Sequence, residues 1–233
     1  MAKKPEIKKN KIVVFTGAGV SVESGLSTFK NGLWEEHNIN EVATAQALHK
    51  NPEFVLGFYD QRLQEMSAAK PNAAHIAIAE LEKEFEVVVI TQNCDSLHEA
   101  AGSSNVLHLH GRMDHALPFD DITAQPIDFS GKSFLDKVDG EFKWRPQVVL
   151  YGEIPHHLTE AKKHILEASK IMIVGTSLSV APACNLVKHA RGRAEKVLVA
   201  FDVHKKPYGF KWYGDKATTV VPRVVKRWIE NKE

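Results

Sequence analysis

Thr91-Gln92-Asn93-Cys94-Asp95-Ser96-Leu97-His98-Glu99-Ala100-Ala101-Gly102 follows without a break on Glu86-Val87-Val88-Val89-Ile90. The upstream run is short, apolar and β-branched, the pattern of a strand covered on both faces of a parallel sheet. Ligands of open α/β sheets bind just beyond the carboxyl ends of such strands. Gln92, Asn93 and Asp95 stand at that place. Asp95 can cap a short helix that Gly102 ends, and both Asn93 and Asp95 would also suit a plain turn.

Two further strand ends carry small or hydroxyl residues. Lys11-Ile12-Val13-Val14-Phe15-Thr16 runs into Gly17-Ala18-Gly19-Val20-Ser21, and Lys170-Ile171-Met172-Ile173-Val174 runs into Gly175-Thr176-Ser177. Glycine lets backbone approach a ligand closely, and free N–H groups at a helix start attract phosphate oxygens. Gly-Ala-Gly alone is a weak sign, because tight strand-to-helix turns use the same residues.

Together these segments resemble the sirtuin family of NAD-dependent protein deacylases. The resemblance rests on the stretch Gly17 to Gly25, on Thr91 to His98, on His110-Gly111, on Pro146-Gln147-Val148-Val149-Leu150-Tyr151-Gly152-Glu153 and on Gly175-Thr176-Ser177-Leu178, all in the family's order. One block departs from the family. Where proline and then Phe-Arg are usual, this chain has Ser27-Thr28-Phe29-Lys30, and lysine keeps the charge but loses the planar fork.

The chain has 233 residues, 43% hydrophobic and 25% charged, which suits one globular α/β unit with a minor lobe. The expected architecture is a doubly wound, Rossmann-like parallel sheet formed by residues 10–30, 72–111 and 146–233, with a small inserted lobe from 31–71 and 112–145. Within it, Asn51-Pro52-Glu53 opens a helix to about Ala68 with an apolar stripe of Phe54, Val55, Phe58 and Leu63. A second helix runs from an Asn72 cap to Phe85. Val106 to His110 is a further strand, and from Leu158 to Phe201 helix and strand alternate before a last helix over Pro222 to Asn231.

A net charge of +1 offers no basic field, so neither nucleic acid nor membrane is an expected partner, and the lysines from Lys3 to Lys11 read as a solvated tail. No apolar run spans a bilayer or makes a secretion signal, so a cytoplasmic location is expected. Oligomeric state is not legible. Cys94 and Cys184 are the only cysteines, which excludes a four-cysteine zinc site. The family usually carries two Cys-x-x-Cys pairs between the His-Gly and Pro-x-Val-Val blocks, and here Arg112 to Arg145 has none. His115 among Asp114, Asp120 and Asp121 reads as a solvated turn. The expectation is therefore no zinc, with the lobe held by Phe119, Ile122, Phe129, Phe134, Leu135, Phe142 and Trp144.

The resemblance implies NAD as cofactor and acyl-lysine in proteins or peptides as substrate, with nicotinamide, free lysine and acyl-ADP-ribose as products. Catalysis falls to His110 as general base, with Asn93 and Asp95 holding the ribose and a water; a reference pKa near ~6.5 suits that base. Gly17, Ala18, Gly19, Ser21, Ser24, Phe29, Lys30 and Gln92 would face the cofactor. Gly175, Thr176, Ser177, Asp202 and Ala217 would lie on its adenosine side. Val148, Val149, Tyr151, Gly152 and Glu153 would pair an extended peptide by strand addition. Tyr59 and Arg62, three apart on one helix face, resemble the Tyr-x-x-Arg pair of sirtuins that take acidic acyl groups such as succinyl or malonyl, with Ala43 leaving room for the chain. An ADP-ribosyltransferase or NAD hydrolase, and a non-catalytic NAD-binding module, remain open on the same scaffold. A hydride-transfer dehydrogenase is weaker, because the full dinucleotide fingerprint is missing.

Overall fold

A computed structural model describes residues 5–28, 34, 36–203 and 205–231. Its strands are β1 (Lys8–Thr16), β2 (Glu86–Thr91), β3 (Val106–His108), β4 (Gly111–Pro118), β5 (Ile127–Asp128), β6 (Lys137–Val138), β7 (Glu141–Phe142), β8 (Trp144–Val148), β9 (Ala168–Val174), β10 (Glu195–Val199) and β11 (Lys211–Tyr213). The helices are α1 (Ile39–Val42), α2 (Ala45–Lys50), α3 (Pro52–Ala68), α4 (Ala73–Glu80), α5 (Leu97–Ala100), α6 (Leu158–Glu167) and α7 (Ala217–Glu230).

Six strands form one parallel sheet in the order β11-β10-β9-β1-β2-β3. Alternation along each strand sends side chains to opposite faces. Ile12, Val14, Val87 and Val89 pack under α4 and α7, whereas Val13, Phe15, Val88 and Ile90 pack under α6 and a 3-10 segment, Ala183–His189. Both faces are buried, which is why β1 and β2 read as continuous apolar runs. The order reverses direction between β1 and β9, and in such sheets the crevice at that switch point takes the ligand.

A separate antiparallel sheet, β5-β4-β8, packs with α3 around Phe58, Met113, Ala116, Phe129 and Phe134. The stacked rings of Phe129 and Phe134, 4.5 Å apart, form its centre. Asp60 on α3 accepts the Phe134 backbone N–H at 2.9 Å and ties the lobe to the helix.

Several expectations need correction. Phe54 is exposed, and the buried stripe of α3 is instead Val55, Leu56, Phe58, Tyr59, Arg62 and Leu63. Ile122 and Leu135 are also exposed and contribute nothing to the lobe centre. The helix from Asn72 ends at Glu80 and tightens into a 3-10 turn, while the segment before β10 is 3-10 throughout. The last helix begins at Ala217, and Pro222 lies inside it. Lys11 is no tail residue: it is buried in β1 and paired with Glu167 at 2.8 Å and Glu86 at 2.9 Å. No described helix is long and apolar enough to cross a membrane.

The aromatic stack sets the first prediction. Phe134→Ala should cost about 3–5 kcal/mol, the usual range for truncating a buried phenylalanine. Urea unfolding monitored by circular dichroism checks it, and a loss under 1 kcal/mol would dismiss the stack as the lobe's centre.

Candidate active site

The cleft is built where β1, β2 and β9 end. Beyond β1 the chain winds through two 3-10 turns, Ala18–Val20 and Val22–Ser24, and leaves at Gly25. The Gly17 N–H donates to Val174 O at 3.0 Å and the Gly19 N–H to Gly175 O at 2.8 Å. Val20 and Ser21 donate to Gly17 and Ala18. Most of the amides expected to face phosphate are thus engaged inside the loop. Glycine is required here by loop-on-loop contact: a Cβ on Gly175 (φ +64°) would fall 2.1 Å from Val20 N.

Ser21 is the hub beneath the loop. Its hydroxyl donates to Asp95 Oδ2 at 3.0 Å and accepts from Asn93 Nδ2 at 3.2 Å. His75 Nε2 lies 3.5 Å away, while His75 Nδ1 accepts the Asn72 N–H at 3.3 Å in a capping box at the start of α4. That acceptor role puts the His75 proton on Nε2, so it donates to Ser21. One donor and two acceptor sites of the hydroxyl are then all filled. Asp95 Oδ1 accepts the Leu97 N–H at 3.2 Å, which ties down the turn before α5, while the cap position itself falls to Ser96 and not to Asp95 as expected. Burial raises the Asp95 pKa, opposed by these bonds.

A second buried layer lies behind. Thr16 Oγ1 donates to Thr91 Oγ1 at 2.8 Å, and Thr91 Oγ1 accepts the Asn93 N–H at 3.0 Å. Because the Thr16 hydrogen is used, His98 Nε2, 3.0 Å from Thr16 Oγ1, must donate, leaving a buried lone pair on His98 Nδ1 with no partner. His108 Nδ1 donates to the Asn93 carbonyl at 2.9 Å. Asn93 is therefore fixed at its N–H, carbonyl and side chain.

His110 sits just past β3. Its Nδ1 donates to Gln92 O at 3.0 Å, which leaves the Nε2 lone pair as the ring's basic atom. Burial lowers its pKa below the ordinary 6.5, so the ring is neutral at pH 7. Gln92 Oε1 accepts from Thr176 Oγ1 at 3.0 Å and joins the β2 and β9 ends. Cys94 donates to His110 O at 3.3 Å, and burial pushes its thiol up to about 12, so it is no nucleophile at neutral pH.

Other expected residues fall differently. Ser24 Oγ accepts from Asn72 Nδ2 at 3.0 Å, and Ser177 pairs with Ser179. Ala217 has its methyl in the core under α7, and Asp202 is exposed between β10 and β11. Phe29 and Lys30 lie outside the described residues. Beyond Val148, the amides of Val149, Leu150 and Tyr151 are taken by His110 O, the Glu153 carboxylate and Ala43 O. Glu153 also makes a two-pronged pair with buried Arg145, and Gly152 turns the chain at φ 98°. Glu153 thus folds this segment rather than facing a peptide. Tyr59 and Arg62, expected to share a face, do so and are both buried; burial raises the Tyr59 pKa. Sequence reasoning missed His75, His98, Thr16 and Thr91. The available sign was polar side chains at positions the strand and helix periods bury.

Comparison with known proteins shows the family of the chain. Residues 17–182 match the model of the Sir2 family. The chain belongs to that family. It is 43% identical over 181 residues to a Helicobacter pylori (strain ATCC 700392 / 26695) protein named NAD-dependent protein deacylase, covering 77% of this chain and 79% of the relative. It is 36% identical over 228 residues to one of that name from Bdellovibrio bacteriovorus, covering 94% and 97%. A Sir2 homologue solved as an NAD complex superposes with a TM-score of 0.84 at 32% identity, covering 96% of this chain and 91% of that one.

The buried imidazoles set a pH prediction. His75 is lowered to about 4 by burial, and His98 lies well below 6.5 for the same reason. Between the native and unfolded pKa values the unfolded chain binds more protons, so stability is full above pH 6.5 and falls on acidification. Each histidine contributes a slope of up to roughly 1.4 kcal/mol per pH unit. Urea midpoints from pH 7 to pH 5 should drop in wild type and drop less in His98→Gln. Equal slopes would show that His98 is not held neutral.

Proposed function

We propose that the protein is an NAD-dependent protein-lysine deacylase. The observation that carries the reading is the cluster of Ser21, Asn93 and Asp95 beyond the carboxyl ends of β1 and β2, with the His110 Nε2 lone pair just past neighbouring β3. The donor set fits a dinucleotide: hydroxyls, an amide and one carboxylate at the carboxyl ends of the strands suit ribose hydroxyls. Gly17, Ala18, Gly19, Ser21 and Ser24 would hold the diphosphate half with Phe29 and Lys30. Gly175, Thr176, Ser177 and Asp202 would hold the adenosine half.

NAD, when bound, supplies the ADP-ribosyl group that accepts the acyl oxygen as nicotinamide departs. The protein's own part is placement and proton transfer. Asn93, fixed by its bonds to Ser21, Thr91 and His108, orients the ribose and a water, and Asp95 stiffens that arrangement through Ser21. His110 Nε2 takes a proton from a ribose hydroxyl, while the Nδ1–H bond to Gln92 O holds the tautomer that leaves this atom basic. Tyr59 and Arg62 line the acyl end, with Ala43 leaving space for the chain, and the Val148 to Gly152 stretch flanks the peptide beside half-exposed Tyr151.

Incubation with NAD and an acyl-lysine peptide, followed by mass spectrometry of peptide and nicotinamide, tests the reading. His110→Ala should lower turnover by roughly two to four orders of magnitude while the melting curve is kept. Wild-type turnover in that variant would remove His110 from the mechanism, and nicotinamide release without peptide deacylation would favour NAD hydrolysis.

The small lobe is proposed to fold without zinc. Among the described residues no group of three or more His, Cys, Asp or Glu is placed to hold a metal. Purified protein should carry no stoichiometric zinc by elemental analysis and should keep its melting temperature in chelator. One zinc per chain with a chelator-sensitive fold would overturn this.

A further inference from the structure

The guanidinium assigned to the acyl end already faces a carboxylate of its own chain. Arg62 Nη1 lies against Glu65 Oε2, three residues on along α3, and also donates to Ser27 Oγ at 2.8 Å. The partners are unequally placed: the Arg62 side chain is 5% exposed and that of Glu65 is 42% exposed. A buried cation needs a counter-charge, and Glu65 supplies it from the rim. Arg62 is not saturated by these contacts. Its Nε is buried with no partner, and its guanidinium lies 5.9 Å from the Trp34 ring centroid.

We propose that Glu65 is a built-in competitor for the acyl carboxylate, occupying Arg62 without substrate and yielding it to the carboxylate of a succinyl-type chain. Glu65 then sets how strongly acidic acyl groups are preferred over acetyl. The inference rests on the deacylase reading above. Its physical basis is an exchange of one carboxylate for another at a fixed guanidinium. Such an exchange conserves local charge, so the substrate gains only the difference between the two pairs. The departing Glu65 is already half in water and rehydrates at small cost. An acetyl group has no carboxylate and does not compete.

Removing the charge with little change of shape should therefore favour acidic acyl chains. In Glu65→Gln the ratio of kcat/KM on succinyl-lysine to that on an otherwise identical acetyl-lysine peptide should rise about tenfold, the scale of one charge-assisted hydrogen bond. The change should appear in KM for the succinyl peptide, because the contact forms equally in ground and transition states. Glu65→Ala should move the ratio the same way. Against an Arg62→Met background, Glu65→Gln should leave the ratio in place, since the effect acts through the guanidinium. An unchanged ratio in both single variants, or an equal rise with and without Arg62, would overturn the proposal. Wild type that deacylates neither peptide would instead fail the deacylase reading and the proposal with it.

Discussion

The loops that follow β1 and β9 touch backbone to backbone, and the placement of the cleft depends on that contact. Adjacent parallel strands lie only about 4.8 Å apart, so loops leaving them toward opposite faces must cross at van der Waals distance. Gly19 donates to Gly175 O, and neither position has room for a Cβ: one on Gly19 would sit 2.8 Å from Gly175 Cα. The glycines are needed first for this crossing and only second for a ligand. Once the crossing is made, the 3-10 turns that follow deliver Ser21 directly over Asp95 and Asn93.

From Ser21 the order propagates through an amide, an imidazole and a carboxylate. A hydroxyl can donate once and accept twice, and here every capacity is used, so the tautomer of His75 and the rotamer of Asn93 are set together. Low local polarity strengthens such bonds and makes an orphan costly. His98 Nδ1, directly behind Thr16, is such an orphan.

How much could be read from the chain follows from where the signals lie. The sheet was legible because β1, β2 and β9 are buried on both faces, which makes apolar runs that few other structures tolerate. Asn93 and Asp95 stand out as candidates because they follow such a run, and His110 because it closes the alternating run that begins at Val106. The structural bonds of the Glu153 carboxylate were not legible, because they depend on Arg145, eight residues earlier, and on a turn at Gly152 that periodicity cannot foresee. His75 and His98 were overlooked for a related reason. A histidine on an apolar helix face carries no local mark of the hydroxyl it meets across the core, 54 residues away for His75 and 82 for His98.

The small lobe has no cysteine between Arg112 and Arg145, and side-chain packing supplies its centre. Its centre is an aromatic stack, and its attachment is the bond from the Phe134 amide to Asp60. Asp60 lies on α3 between Tyr59 and Arg62, so the backbone of the lobe and the proposed acyl pocket hang from the same helical turn. A metal site would fix the lobe internally and leave α3 free to shift against it. An anchor on Asp60 does the reverse: any repacking around Phe129 and Phe134 moves the turn that carries Arg62. In this chain, lobe packing and the proposed acyl pocket therefore share one helical turn, so substitutions in the aromatic centre should act on acyl preference as well as on stability.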